Sequence, residues 1–479
     1  MSNASVQKDI YNGEDNITSV KQPVLNRWVI VILYGLVASL STLIHGGFNA
    51  WKPVVYKTGA FSEVCNGANA KKTIIGKVEF PSCAIRDTRI DNLQTVAFFI
   101  HFFLSFFNGY ALDKFGEKLS FLCGQSVVIL AFLCLIFIKS SFIWYVFFFL
   151  IGLSADLSFL PLLKVSKYFP SQESLIFGIL GALRSTGFGI GLLFQIGFFN
   201  TFNFGPDDFY ILCIVYLLVC MTFSIAVGIF IVPGKEKQIN NSDKGSSISK
   251  RKSKINIENE MDMLETNKIN KNVDEEKTGL LNKLVSLWNH PQRCDYIITI
   301  LICCSSMIRF EYFGKSASLF FKSDTYDYNN IFSISTVLSF IPTPFFGYLA
   351  GKIGSVYSIL INNVLIFLAY ICILFDSPFL KLTAIVLNIG YFSFAFSCFY
   401  CYVDEFFPKK NFGALCGAIF TISAPFLFLN FFLTYLTNEV FGSEGKGNYL
   451  QVVCGLTVLG FITLLLCVYL KFTEKKKFK

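Results

Sequence analysis

The sequence predicts an all-α membrane protein, with twelve transmembrane helices in two six-helix halves and both termini on the cytosolic side. Three observations lead there. The first is composition: 53% of the 479 residues are hydrophobic, Phe alone supplies 56, and mean hydropathy is +0.55. Charged residues make up 15%, about ten points fewer than in an ordinary soluble domain. A chain this long needs more charge to cover a surface facing water, which argues against a soluble enzyme and against disorder. The net charge of +9 then reports topology and anionic headgroups rather than nucleic acid. The second observation is a set of twelve apolar runs, and the third is an internal repeat at a fixed offset.

The runs are 27–47, 92–112, 118–138, 142–163, 174–198, 208–232, 295–320, 329–350, 354–375, 379–402, 411–436 and 449–471. Each is close to the roughly 18 residues or more that a helix needs to cross a ~30 Å hydrocarbon core. Helices are the natural reading, because a lone strand leaves its backbone groups unsatisfied in lipid. A β-barrel would show short alternating segments, and Val127–Ile138 does not alternate. Ahead of the first run lie about 25 polar residues with no signal-peptide pattern, so that run is read as a permanent helix following a cytosolic tail, 1–26.

Orientation follows from lysine placement. With cytosolic termini, the inner connectors carry Lys114, Lys118, Lys164, Lys167, Lys352, Lys409 and Lys410, and the tail 472–479 is basic. The short outer connectors carry one Lys or none, as the positive-inside rule expects. The stretch 48–91 is read as one long outer loop, where that rule is weak. It holds Cys65 and Cys83, the only two of 15 cysteines on the outer side, which are expected to form a disulfide in an oxidising space. The sequons at Asn3, Asn16 and Asn240 all fall on the inner side, so no N-glycan is expected. His45, His101 and His290 are scattered and no metal-binding spacing occurs; neither a metal nor a cofactor is expected.

Between the halves, 233–293 is rich in Lys, Asn, Glu and Ser and reads as a disordered cytosolic linker. It separates an N-terminal bundle, 27–232, from a C-terminal bundle, 294–471. The repeat is direct. Gly109-Tyr-Ala-Leu-Asp113-Lys-Phe-Gly116-Glu-Lys118 follows the second run, and Gly347-Tyr-Leu-Ala-Gly351-Lys-Ile-Gly354 follows the eighth, 238 residues later. Phe169–Pro170 and Phe407–Pro408 close the fourth and tenth runs at the same offset. Parallel six-helix halves meeting at a midplane site are a transporter architecture.

The pattern Gly-x3-Asp-x2-Gly-x-Lys resembles the loop between spans two and three of the major facilitator superfamily. Gly109, Asp113, Gly116 and Lys118 all match, whereas in the second copy Gly351 replaces the Asp. The resemblance implies a gating role for these residues and for Gly347 and Gly354. Asp91-Asn-Leu-Gln-Thr-Val-Ala-Phe-Phe, Gly181-Ala-Leu-Arg-Ser-Thr-Gly187 and Phe407-Pro408-Lys-Lys-Asn-Phe-Gly413 are similar to the L-type amino-acid transporters and, more closely, to the apicomplexan amino-acid transporter family, the novel putative transporters. That likeness implies amino-acid uptake across the plasma membrane, with cationic, neutral or aromatic substrates in different members.

Charges inside spans call for a role, since each costs at least ~2.5–3.5 kcal/mol at mid-bilayer on insertion scales. Arg184 lies mid-span among five glycines; it suits a carboxylate anchor or an internal pair with Asp156. Asp156 suits a substrate ammonium, a cationic side chain or a proton. Glu311 either pairs with Lys315 one turn on or faces the cavity; Arg309 faces another way. Ser185, Thr186, Tyr391 and Tyr400 complete the candidate lining. The expected function is a secondary or facilitative amino-acid carrier working by alternating access, monomeric, uniporting or exchanging, with arginine and lysine ahead of neutral and aromatic substrates. No nucleotide-binding motif is present in the sequence. Carriers of a monocarboxylate, nucleoside or folate, and a nutrient sensor that no longer transports, use the same fold.

Overall fold

The computed structural model describes residues 25–65, 71–75, 78–170, 172–201, 204–234, 293–322, 328–407, 412–442 and 448–477. Among these, nine helices are long and apolar enough to cross a bilayer, and three bent pairs bring the number of spans to twelve. The first half comprises span 1 (Arg27–Ser41 with Ile44–Lys57), span 2 (Ala84–Phe103 with Ser105–Leu112), span 3 (Glu117–Phe137), span 4 (Ile143–Tyr168), span 5 (Leu175–Phe199) and span 6 (Pro206–Phe230). The second comprises span 7 (Cys294–Phe320), span 8 (Tyr328–Phe340 with Thr343–Ile353), span 9 (Ser355–Ile373), span 10 (Pro378–Phe406), span 11 (Leu415–Val440) and span 12 (Leu450–Glu474). The linker 235–292, with the basic run Lys250–Lys254, and all three sequons lie outside the described residues.

The repeat seen in sequence is written into the backbone as well. Span 2 bends by 42° at Leu104, and span 8 bends by 50° next to Pro342, 238 residues on. Proline lacks the N–H that would continue the helix. Gly116 and Gly354, at the same offset, take left-handed φ of 87° and 89° and turn the chain sharply from span 2 to 3 and from span 8 to 9. Short 3-10 stretches begin at Thr186 in span 5 and Ala424 in span 11, again 238 apart. A further matched contact keeps its place but not its charges. Lys167 meets Glu117 at the start of span 3 at 3.0 Å, while Glu405 accepts from the Ser355 amide at the start of span 9 at 2.8 Å.

Lipid and protein divide the helix faces. Spans 6 and 12 are one-third buried and peripheral, with Phe230 and Val458 turned outward, whereas span 7 is 78% buried. An apolar residue facing lipid loses nothing, so packing between spans relies on close approach and polar contacts. The second half's core takes in Leu43, Phe98, Phe102 and Phe188 from the first half, so the two halves share an aromatic seam. At the bend of span 1, a Cβ on Gly47 would lie 2.1 Å from the Phe188 carbonyl oxygen. Only glycine permits that approach of span 5.

The sequence expectation of a long loop over 48–91 is corrected. Phe48–Lys57 is helix, bent 50° from the rest of span 1, and span 2 starts at Ala84 rather than 92. Lys52 and Lys57 interrupted the hydropathy, yet both are satisfied by protein. Lys52 is buried and pairs with Asp91 at 2.6 Å. Lys57 donates to the Phe198 carbonyl at 2.7 Å and lies over the rings of Phe198 and Phe199.

The fold is also not purely α. A small antiparallel hairpin, β1 (Lys71–Ile75) and β2 (Val78–Ser82), occupies the connector. Cys65 and Cys83 are bridged, with Cα atoms 5.7 Å apart. Arg86, 1% exposed, ties this cap down by donating to the carbonyls of Ala60 (2.8 Å), Tyr56 (3.1 Å) and Pro81. Arg86→Ala strands these acceptors away from water; an expected loss of about 3 kcal/mol is read as a lowered Tm of the purified protein.

Candidate functional site

The ionised groups of the spans gather where the halves meet. Span 4 brings Asp156 and span 5 brings Arg184, whose Nη2 donates to Asp156 Oδ1 at 2.9 Å. Arg184 is 7% exposed and Asp156 1%. The guanidinium lies over the Phe159 ring, 4.1 Å from its centroid, and its Nε has no partner among the described residues. This pair is one of the alternatives open in the sequence.

Span 2 contributes a residue that the sequence did not single out. His101 Nε2 sits 3.0 Å from Asp156 Oδ1 and 3.1 Å from Arg184 Nη2. It donates to the first or accepts from the second, depending on which ring nitrogen holds the proton. His45, at the bend of span 1, packs its ring 5.2 Å from that of His101, and neither of its nitrogens has a partner among the described residues. The two histidines are far apart in sequence and adjacent in the fold. No group of three or more His, Cys, Asp or Glu that could hold a metal ion occurs among the described residues.

The second half reaches this cluster through Tyr400 of span 10, which interacts with both Arg184 and Asp156. Tyr400 also lines a narrow cavity with Phe159, Phe177, Gly181, Phe394 and Ser397. That cavity opens between spans 4, 5, 8 and 10, on the side away from the Cys65–Cys83 bridge. The other predicted lining residues are occupied elsewhere. Ser185 donates to the Gly181 carbonyl at 3.0 Å. Thr186 bonds Ser39 of span 1 and the Leu183 carbonyl, both at 2.6 Å. Tyr391 donates to the Ser306 carbonyl at 3.0 Å within the second half's core.

Span 7 carries the other buried charges. Glu311 pairs with Lys315 at 3.3 Å and accepts from Asn430 Nδ2 at 2.8 Å and from the Thr95 hydroxyl. Lys315 also donates to the Asn430 carbonyl at 2.9 Å and to Thr95 at 3.2 Å. Thr95 belongs to span 2, so this network ties the halves together. Arg309 turns the other way, to Asn363 of span 9 at 2.6 Å. Further ties lie on the disulfide side: Lys52 to Ser318 (3.3 Å), Asn49 to Ser333 (2.7 Å) and Asn438 to Asp91 (3.3 Å).

The residues for which the resemblance implies gating sit at the opposite end. Gly109 and Asp113 lie on the helix Ser105–Phe115; the Asp113 side chain is outside what the structure describes. Lys118 donates to the Ile229 carbonyl at 2.6 Å, at the end of span 6. A Cβ on Gly178 would lie 3.8 Å from the Gly347 Cα, in ordinary van der Waals contact between spans 5 and 8. Gly351 has open space around it. Lys409 lies outside the described residues.

Twelve spans in two repeated halves, with a charged cluster and a cavity at their junction, define a membrane carrier. The sequence profile of the Major Facilitator Superfamily matches residues 80–428, and the chain belongs to that family. It is a multi-pass membrane protein of a family of transporters, not enzymes. It is 26% identical over 462 residues to Arginine transporter 1 of Toxoplasma gondii, covering 88% of this chain and 83% of that protein. It is 27% identical over 410 residues to Aromatic and large neutral amino acid transporter 5-3 of the same organism, covering 83% and 75%. Among solved structures, a mutant form of the nucleoside transporter NupG superposes with a TM-score of 0.58 at 11% identity, covering 92% of this chain and 99% of that one. At that identity the likeness concerns the fold alone.

Proposed function

We propose that this chain is a secondary carrier of amino acids at the plasma membrane, with cationic ones first, working as a monomer with both termini in the cytosol. One observation carries the amino-acid reading: Arg184 and Asp156 form a buried ion pair 2.9 Å apart, beside a cavity between the halves. An α-amino acid carries the same two charges in the complementary order. Its carboxylate suits the fork of Arg184 and its ammonium suits Asp156. Substrate then exchanges one ion pair for two, so that neither protein charge is stranded in low dielectric during the exchange. Rocking of the halves around this point exposes the site to each side in turn. The ties on the disulfide side must break for that side to open. Direction follows the gradients, by uniport or exchange.

The preference for arginine and lysine has a different basis from the one the sequence offered. Asp91, Asp156 and Glu311 each have a Lys or Arg partner, so acid count does not favour a cation. What supports the preference is the relative named for arginine, together with aromatic faces along the cavity, which attract cations. The same faces, and the relative named for aromatic and large neutral amino acids, support a neutral or aromatic substrate as the second reading.

The test is uptake of a radiolabelled amino-acid panel into proteoliposomes, with and without a proton gradient. Saturable arginine uptake that lysine competes for, and that needs no proton gradient, is the expected result. Vesicles showing no saturable uptake of any amino acid would leave a sensor or a carrier of another solute.

A further inference from the structure

Span 2 bends by 42° at Leu104, where no proline stands. In an unbroken helix the Phe106 N–H would donate to the Phe102 carbonyl, one turn back. Here a hydroxyl from the other half stands between them. Thr421 of span 11 accepts from the Phe106 amide at 3.2 Å and donates to the carbonyl of Phe103 at 3.0 Å or of Phe102 at 3.2 Å. A side chain inserted into the backbone ladder kinks a helix sharply. Gly417, one turn before Thr421, lets span 11 come close enough for the insertion: a Cβ there would lie 2.8 Å from the Phe106 Cα. At the matching position span 8 bends next to Pro342, and proline breaks the ladder whatever surrounds it. The bend of span 2 is instead borrowed from the second half.

The same break reaches the Arg184–Asp156 pair. His101 precedes Leu104 and Ser105 follows it, both are buried, and both hold the Asp156 carboxylate. His101 Nε2 lies 3.0 Å from Oδ1, and the Ser105 hydroxyl hydrogen-bonds the same side chain. We infer that Thr421 is a positioning residue for that site: its hydroxyl holds span 2 bent while spans 2 and 11 are in contact, and its withdrawal lets span 2 straighten and loosens the grip of His101 and Ser105 on Asp156. The inference rests on the alternating-access carrier reading above. Thr421 lies toward the end of span 11 remote from the disulfide, whereas Asn438, toward the other end, reaches Asp91. Parting of the halves on the side away from the disulfide therefore pulls the hydroxyl out. The backbone is not stranded by this, because the Phe106 N–H and the Phe102 carbonyl then satisfy each other. Asp156 loses its set geometry as the cavity widens, which suits release of substrate on that side. Closing reverses each step, so the site is re-formed before the disulfide side opens.

The test compares Thr421→Val, which keeps the shape without the hydroxyl, with Thr421→Ser, which keeps the hydroxyl. Two quantities are measured. One is kcat/KM for arginine uptake in proteoliposomes. The other is the alkylation rate of the native Cys401, on the wall of the narrow cavity, followed by mass spectrometry of its peptide. In Thr421→Val the closed seam leaves a buried N–H and a carbonyl without partners, which moves the balance toward the state open away from the disulfide by about tenfold. Cys401 is expected to react faster by that factor, and uptake kcat/KM to fall by a similar one, while Thr421→Ser matches the wild type in both. If Thr421→Val does not fold, Thr421→Ala, which removes the same hydroxyl without crowding span 2, is read in the same way. A valine variant equal to the wild type in both readouts would overturn the inference. Lost uptake with unchanged alkylation would make Thr421 a substrate contact, and a serine variant that fails like the valine would assign the effect to packing; either result overturns it as well. A wild type that carries no amino acid, with faster alkylation in Thr421→Val, would overturn the amino-acid reading and leave the joint in span 2 standing.

Discussion

Arg184→Ala abolishes saturable uptake, with kcat/KM falling by at least about a hundredfold, while the protein still reaches the membrane. The loss in transport follows from geometry. Arg184 is the cation beside the cavity that can hold a planar carboxylate, and no neighbouring side chain replaces its fork. The effect on folding is smaller than for most buried pairs. Removing one partner of such a pair ordinarily costs about 3–5 kcal/mol, because the other charge stays behind. Here His101 already stands 3.0 Å from the stranded Asp156 and remains beside it as a hydrogen-bond partner. Arg184→Lys separates the two effects. It restores a charge for Asp156 and hence stability, but offers a point charge where the substrate needs two parallel donors, so it stays transport-poor. Surface labelling and uptake on the same cells give both readouts. Asp156→Asn is expected to weaken arginine and leucine alike, because an anchor for the α-ammonium is common to all amino acids. A loss confined to arginine would place Asp156 at the side chain instead.

The spans and the repeat were legible because hydropathy over about twenty residues and a 238-residue offset are properties of the chain itself. The bends were legible only in part. Pro342 announces one, while Leu104 bends its helix at the matching position with no local signal. Lys52 misled the reading for a physical reason: hydropathy scores a residue in isolation, and the Asp91 that neutralises it is 39 positions away. His101 was missed through counting distance along the chain, and Gln94, buried on the same face, was not singled out. Gln94, Phe98, His101 and Ser105 recur at helical spacing on span 2, and all four are buried. A polar residue on the buried stripe of an apolar helix is the signal that would have found both.

Lys315→Met destabilises the protein by about 3–5 kcal/mol, and adding Glu311→Gln restores most of that loss. Span 7 is the most buried of the straight spans, and both residues are at most 1% exposed. Taking the ammonium away leaves the Glu311 carboxylate with two neutral donors, Thr95 and Asn430. Those hydrogen bonds do not balance a full charge at low dielectric. Replacing the carboxylate with an amide removes the charge and keeps an oxygen for Asn430 to donate to. The double variant is thus expected to lie closer to wild type than Lys315→Met alone, which a double-mutant cycle on Tm measures directly. Transport need not recover with stability. Glu311 and Lys315 belong to the second half and Thr95 to the first, so in the proposed alternating-access cycle their mutual contacts act as a latch on the disulfide side. With the charges gone, that latch loosens, and the resting carrier shifts toward the state open on the disulfide side. Thiol labelling of a cysteine placed at Ser318, which meets Lys52 across the same seam, should be faster in the double variant than in the wild type. Unchanged labelling with recovered Tm would confine the network to a structural role inside a closed seam.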